Sequence, residues 1–367
     1  MLWLAVVLAA APLEVRVLER EVPTRIQLGA AKFTCDEKPL ALGFALTAEV
    51  AVREVRVSKP GASPDAGQTL CAVLVAEDPQ GVEVKVGEVS RRYPGQLRVL
   101  LEGAALRLIN VIDVEAYLPA VVKAEADGSK SQALEAQAIV SRTFALSGRN
   151  RHERSGYQLC DLAHCQLYRG AGDASPEATA AVKATANQVL LIGGIVLKPA
   201  FFHSSCGGHT SRAVDVFGED GAGSAVSDVD KGAKAPSCSS PDLAWSFEAE
   251  KVDFAKALGI PGNGSGKALE PLRRDSGGRI LEVRAFGKRI PSGEFLSKMG
   301  RAFGWQAVRS MKFDINETDT LIQLNGTGLG HGVGLCQLGA RALADKGVDA
   351  KGILLRYFPE SQIKPAP

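Results

Sequence analysis

Histidine is scarce in this chain, five residues in 367, and charge of one sign is missing: 43 Lys and Arg face 41 Asp and Glu, for a net charge of +2. Phosphate backbones require a concentrated basic face, so near-neutrality without a long run of one sign excludes nucleic acid as an indicated partner. No transmembrane helix is expected either. The apolar run Met1 to Pro12 falls short of the roughly 20 residues that span a bilayer. Internal repeats and sustained low-complexity segments are absent as well, which leaves an ordinary folded chain. A composition of 46% hydrophobic and 23% charged residues agrees, and the length accommodates one large domain or two of usual size.

Residues 1–12 resemble the apolar region of a secretory signal, with Ala9-Ala10-Ala11 as a small-residue cleavage site, although no Lys or Arg precedes the run. The alternative is a buried first strand or helix; the expectation is export to the cell envelope or periplasm. Seven cysteines permit three pairs and one left over. Cys35 and Cys71 are placed to bridge in the N-terminal region, and Cys206 and Cys238 to staple a Gly/Ser/Asp-rich loop, both in an oxidising compartment.

From residue 13 to about Ile112, short alternating stretches such as V-E-V-K-V at Val82 are separated by Gly, Pro and Asp, the pattern of strands and turns. The register then changes. Val114 to Ala124 and Gln132 to Leu146 space apolar residues as helices do. Strands are expected at Gln188 to Leu197, Ala200 to His203, Arg279 to Phe286 and Phe313 to Asn316. Further helices are expected at Lys251 to Leu258, Ser292 to Gly300, Gln337 to Lys346 and Gly352 to Tyr357. Mixed elements without a βαβ rhythm predict an α+β fold.

All five histidines fall in three blocks: His152 to Tyr168, Phe201 to Thr210, and Gly330 to Ala340. In the first, His152, Cys160, His164 and Cys165 offer two imidazoles and two thiolates, the donor set of a closed tetrahedral zinc site. The competing reading is a Cys160–Cys165 disulfide beside unrelated histidines. In the third, glycines at 330, 332 and 334 let the chain come close to a ligand before a helix, whose first amides suit an anion or a polar sugar oxygen. Cys336 there is either a nucleophile partnered by His331 or, the better reading, a small packing residue. Ser204 and Ser205 sit in a turn without a nucleophile elbow, so contacts with substrate, or packing of the turn, are better readings than covalent catalysis. Glu125 ends an apolar helix, where partial desolvation suits a general acid. Asp127 and Glu135 keep a two-carboxylate glycosidase open.

The segments V-I-D-V-E-A-Y-L-P-A-V-V-K-A-E, A-L-E-A-Q-A-I-V-S-R-T-F-A-L, H-C-Q-L-Y-R-G, F-F-H-S-S-C-G-G and G-H-G-V-G-L-C-Q-L-G-A-R, in that order, resemble the SpoIID/LytB family (stage II sporulation protein D). The resemblance covers roughly Arg92 to Ile363. It implies a catalytic domain over 92–363 after a β-rich region at 13–91 and a signal peptide at 1–12. It further implies a peptidoglycan lytic transglycosylase that cuts between N-acetylmuramic acid and N-acetylglucosamine without water, leaving a 1,6-anhydro end. Glu125 matches the family's catalytic glutamate. Gln137, Arg142, Tyr168, Ser204, Ser205, His331 and Gln337 match positions expected to line the glycan groove, with His203 and His209 helping to shape it. The resemblance places zinc ahead of the disulfide at His152, Cys160, His164 and Cys165.

Two departures stand out. Relatives follow the glutamate with Met-Pro and an aromatic, where this chain has A-D-G-S-K-S, and they commonly carry Ser at the position of Cys336. Peptidoglycan glycan strands are the expected partner. The amidase-enhancer branch of the family supplies the rival function, a non-catalytic glycan-binding module that stimulates a cell-wall amidase.

Overall fold

A computed structural model describes residues 11–41, 43–62, 68–197, 199–218, 223–224, 243–261 and 267–367. Most of the expected signal segment, most of the stretch Gly218 to Ser240, and Cys238 lie outside the described residues. Helices and strands mix throughout, the α+β class that the sequence predicts. No described helix is long and apolar enough to cross a membrane.

The chain forms two compact units, Met1–Asp127 with Ala145–Gln188, and Gly128–Phe144 with Val189–Pro367. In the first unit the alternating stretches are strands. Leu13, Val15 and Val17 are buried while Glu14 and Arg16 are half-buried, as a strand with one face on a core requires. A seven-stranded sheet runs in the order 159–160, 13–17, 105–112, 96–102, 73–77, 32–35, 38–39. A six-stranded sheet runs in the order 89–93, 82–86, 25–29, 45–50, 55–58, 69–71. The boundary expected at 91/92 does not divide the structure, because strands from both sides of it share the seven-stranded sheet. Neighbours in that sheet are antiparallel except at one edge, where Val15 and Arg16 pair in parallel with Leu159 and Cys160. That pairing fixes the start of the cysteine–histidine block.

Helix α1 (Val114–Ala126) is opened by Asp113, whose side chain accepts from the Glu115 amide, a cap worth about 1 kcal/mol. It buries Val114, Tyr117, Leu118, Val121 and Val122, a stripe at helical spacing, and places Glu125 in its last turn. Helix α2 (Ser131–Ser147) is buried from Ala133 to Ala145 apart from Glu135, and the division between the units falls inside it. Helix α3 (Pro176–Ala184) packs on α1. The sequence reading missed α3, although Ser175 caps it through the Ala178 amide and proline opens it, both standard start signals.

The second unit holds two apolar cores. One gathers Ala136, Ile139 and Val140 with Leu190, Leu335, Ile353 and Tyr357. The other gathers Trp245, Phe254, Ile280, Phe295, Phe313 and Leu324. Its helices are α4 (Ala213–Phe217), α5 (Lys251–Leu258), α6 (Ser292–Phe303), α7 (Gln337–Asp345) and α8 (Ala350–Tyr357). Four of these, α5 to α8, lie where the apolar spacing places them. A two-residue parallel ladder joins two of the motif blocks. Phe202 and His203 pair with Leu335 and Cys336, bringing two motif blocks 133 residues apart side by side.

A disulfide joins Cys35 to Cys71, from strand 32–35 of one sheet to strand 69–71 of the other. The expected Cys206–Cys238 staple involves Cys238, which lies outside the described residues; Cys206 itself is buried. Closing a loop across 36 residues of sequence restricts the unfolded chain by about 3–4 kcal/mol. Replacing both Cys35 and Cys71 with serine is therefore expected to destabilise the chain by about 2–4 kcal/mol. Calorimetry checks this, and a wild-type melting temperature that reductant does not lower contradicts it.

Candidate functional site

In the first unit, Glu125 is half-buried at the carboxyl end of α1. A helix end of that polarity opposes a negative charge. A backbone donor compensates: the Leu167 amide donates to Glu125 Oε1 at 2.8 Å. Residues next to Leu167 are anchored in the same unit. Gln166 Oε1 accepts from the Tyr117 hydroxyl at 3.2 Å, and the Tyr168 hydroxyl donates to Asn110 Oδ1 at 2.9 Å. Asn110 in turn donates to the Pro94 and Gln96 carbonyls. Tyr168 also packs on Tyr117 and Tyr93, with ring centroids 4.7 and 5.9 Å away. Burial holds the Tyr117 and Tyr168 hydroxyls well above the usual phenol range, so both stay protonated donors.

The segment that supplies Leu167 leaves the cysteine–histidine block directly. His152 Nε2 lies 3.3 Å from Cys165 Sγ, and His164 Nδ1 lies 3.7 Å from Cys165 Sγ and 3.9 Å from Cys160 Sγ. One ligand atom from each of the four residues falls within 4.8 Å of the others. Both cysteines are free thiols rather than a disulfide. Donors around a tetrahedral zinc ion stand about 3.3–3.8 Å apart when bonds are about 2.0–2.3 Å, so the four residues fit such an ion. His152 stacks on Tyr157 at 4.7 Å, and Arg16 lies over the same ring. Cys160 shares its hydrogen with Cys165, which pushes the Cys165 thiol down and Cys160 up.

Beside Leu167 the first unit opens a cavity of about 570 Å³. Arg20, Arg91, Arg92 and Arg169 line it with Glu21, Glu83, Asp161 and Asp173. The sequence reading found none of these, since the arginines are scattered and only the fold gathers them. Asp161 is 6% exposed and its Oδ2 accepts from the Leu18 amide at 2.8 Å. Burial raises that carboxyl to about 6.

In the second unit the parallel ladder assembles the other two blocks. The Leu338 amide donates to the Ser204 carbonyl at 3.1 Å, and Ser205 forms an isolated bridge with Leu329. The His203 and His331 rings lie 5.6 Å apart, with Phe201 and Phe217 against His331. Gln337 donates to Gln137 Oε1 at 3.5 Å, and Gln137 donates to Ser141. Arg279, also missed from sequence, is 2% exposed and threads beneath the glycine block. It donates to the carbonyls of Gly330 and Cys206 and to the Ser211 hydroxyl. A β-carbon added at Gly332 would collide with that guanidinium, and one added at Gly334 would collide with the Phe201 carbonyl oxygen. Neither position admits another residue.

The predicted residues therefore divide by unit. Glu125, Tyr168 and the four block ligands belong to the first; Gln137, Arg142, Ser204, Ser205, His331 and Gln337 belong to the second. Half-buried Ser204, His331 and Gln337 keep exposed surface. Gln137, Arg142, Tyr168 and Ser205 are no more than 1% exposed. These four, expected from sequence to line the groove, are buried, and so is His203. Cys336 is also fully buried, and its sulfur accepts from the Gly339 amide at the start of α7. That placement suits packing and not a nucleophile.

Residues 102–191 match the family described as Stage II sporulation protein, SpoIID. An uncharacterized protein of Brachyspira hyodysenteriae (strain ATCC 49526 / WA1) is 26% identical over 274 residues, covering 72% of this chain and 70% of that protein. Stage II sporulation protein D of Bacillus amyloliquefaciens and that of Bacillus subtilis (strain 168) are each 25% identical over 272 residues, covering 70% of this chain and 75% of theirs. The matched segment contains Glu125, the whole cysteine–histidine block and Leu167, so the chain is similar to the SpoIID family over the residues that carry its candidate chemistry.

Proposed function

We propose that this chain is an exported lytic transglycosylase acting on peptidoglycan glycan strands, with Glu125 as its acid and base. The supporting observation is the seat of Glu125. A half-buried carboxylate ends α1 and is held at one oxygen by an uncharged amide. In its protonated form it donates to the glycosidic oxygen as the bond from the muramoyl C1 breaks. As carboxylate it then accepts the proton of the muramoyl C6 hydroxyl while O6 bonds to C1. The substrate supplies its own nucleophile, so one carboxylate serves both steps, where hydrolases use two.

Zinc belongs to the same proposal. His152, Cys160, His164 and Cys165 would hold it through four protein donors, which leaves no open position and makes the ion a cross-link. Its contribution is structural. It fixes the turn at Cys165, two residues before the amide that holds Glu125.

A second reading has one observation behind it. The residues after Glu125 depart from the family's Met-Pro-aromatic pattern, and Ser129 and Lys130 are engaged instead by Arg341 and Asp345 within the second unit. A member altered there fits an enhancer of a cell-wall amidase.

Incubating the purified protein with intact and peptide-stripped glycan, with products read by mass spectrometry, is expected to give anhydro-muramoyl ends. Glu125→Gln keeps an acceptor for the Leu167 amide, so it is expected to fold normally and lose turnover by about 10²–10⁴-fold. Absence of product from either glycan by the wild type rejects the enzyme; stimulation of an amidase in that case establishes the enhancer. For the metal, Cys165→Ser is expected to lose one zinc per chain and to lower turnover about 10–100-fold with Glu125 intact. Protein isolated without chelators that lacks zinc and contains a Cys160–Cys165 disulfide rules out this site.

A further inference from the structure

The second unit contains another group of soft donors that the proposed chemistry does not use. A ring nitrogen of His203 and the sulfurs of Cys206 and Cys336 lie within 4.8 Å of one another, all three residues buried. The geometry points to a second, closed metal site at these residues, for a thiophilic d10 ion, zinc or copper(I).

Three features of the surroundings argue for a ligand there. First, His203 Nδ1 contacts the Val333 carbonyl at 3.0 Å. A carbonyl only accepts, so Nδ1 carries the hydrogen and Nε2 keeps the lone pair. That nitrogen is buried and has no hydrogen-bond partner, a costly state for a polar atom unless something binds it. Orientation of a metal-binding imidazole by a carbonyl on its other nitrogen is the usual arrangement.

Second, backbone amides point at the sulfurs. Cys206 Sγ accepts from Gly208 at 3.3 Å, and Cys336 Sγ accepts from Cys206 and Gly339 at 3.4 Å each. The Gly339 amide belongs to the first turn of α7, whose positive end favours a thiolate. Third, the ligands come from both sides of the parallel ladder, whose pairing is only two residues long. An ion bound to His203, Cys206 and Cys336 clamps that junction where few backbone hydrogen bonds do. Donors bonded at about 2.0–2.3 Å in a trigonal plane stand about 3.5–4 Å apart, within reach of the spacing found. Two thiolates and an imidazole form a soft set that selects zinc or copper(I) over harder ions.

The test is metal content of the full chain, produced in medium supplemented with zinc or with copper under reducing conditions and purified without chelators. Two equivalents of metal per chain are expected in at least one arm, falling by one in Cys336→Ser and in His203→Gln. Serine is the family's common residue at position 336, so that variant is expected to keep its circular dichroism. In Cys160→Ser/Cys165→Ser, which removes the block in the first unit, the remaining ion is expected to show two sulfur neighbours and one imidazole by X-ray absorption. The arm that retains metal identifies it as zinc or copper. Equal metal content in wild type and Cys336→Ser in both arms overturns the site, as does a Cys206–Cys336 disulfide found by peptide mapping. The site in the first unit stands or falls separately, on Cys165→Ser.

Discussion

The hydrogen bond from the Leu167 amide to Glu125 is the constraint around which the first unit is arranged. A glutamate at a helix end has three rotatable side-chain bonds and nothing intrinsic to fix its carboxylate. Here the position is imposed by backbone, and that backbone is anchored on both sides. Before Leu167 lies the cysteine–histidine block, tied to the sheet edge by the Arg16–Cys160 pairing. After it comes Tyr168, buried against Tyr93 and Tyr117 and bonded to Asn110. Several buried polar contacts thus converge on the position of one carboxylate oxygen.

Much of this was legible in the sequence. Apolar spacing located α1, α2 and the helices from Lys251 onward, because those segments bury one stripe or are buried throughout. Alternation located the N-terminal strands for the same reason. Their partners were not legible. Nothing local indicates that Leu159 and Cys160 extend a sheet begun at Leu13, or that strands 96–102 and 105–112 share that sheet, since pairing is decided by the whole core. Glu125 and the four block ligands were visible as chemistry. The Leu167 amide was not, because every residue except proline has one and only the fold selects it.

Burial was less legible than position. Arg142 and Ser205 sit in motif blocks and read from sequence as surface chemistry, yet neither is exposed. Arg279 lies outside those blocks and gave no signal, although its guanidinium supports the glycine loop through three acceptors. A buried arginine is rare unless its donors are satisfied, and sequence patterning assumes the common case. The glycines at 332 and 334 were read as positions where the chain comes close to a ligand. What approaches them is the protein itself: a guanidinium and a carbonyl.

Neither compact unit is a continuous stretch of chain. The first leaves off at Asp127 and is completed only by Ala145–Gln188, which supplies the edge strand, the block ligands and the amide for Glu125. During synthesis the early strands and their disulfide can form while the end of α1 still lacks its holder. At about 5–20 residues per second, the roughly 40 residues from Glu125 to Leu167 take a few seconds to emerge. Throughout that interval the Glu125 carboxylate exists without the amide that holds it, and the chain completes this contact as a late step of its own assembly.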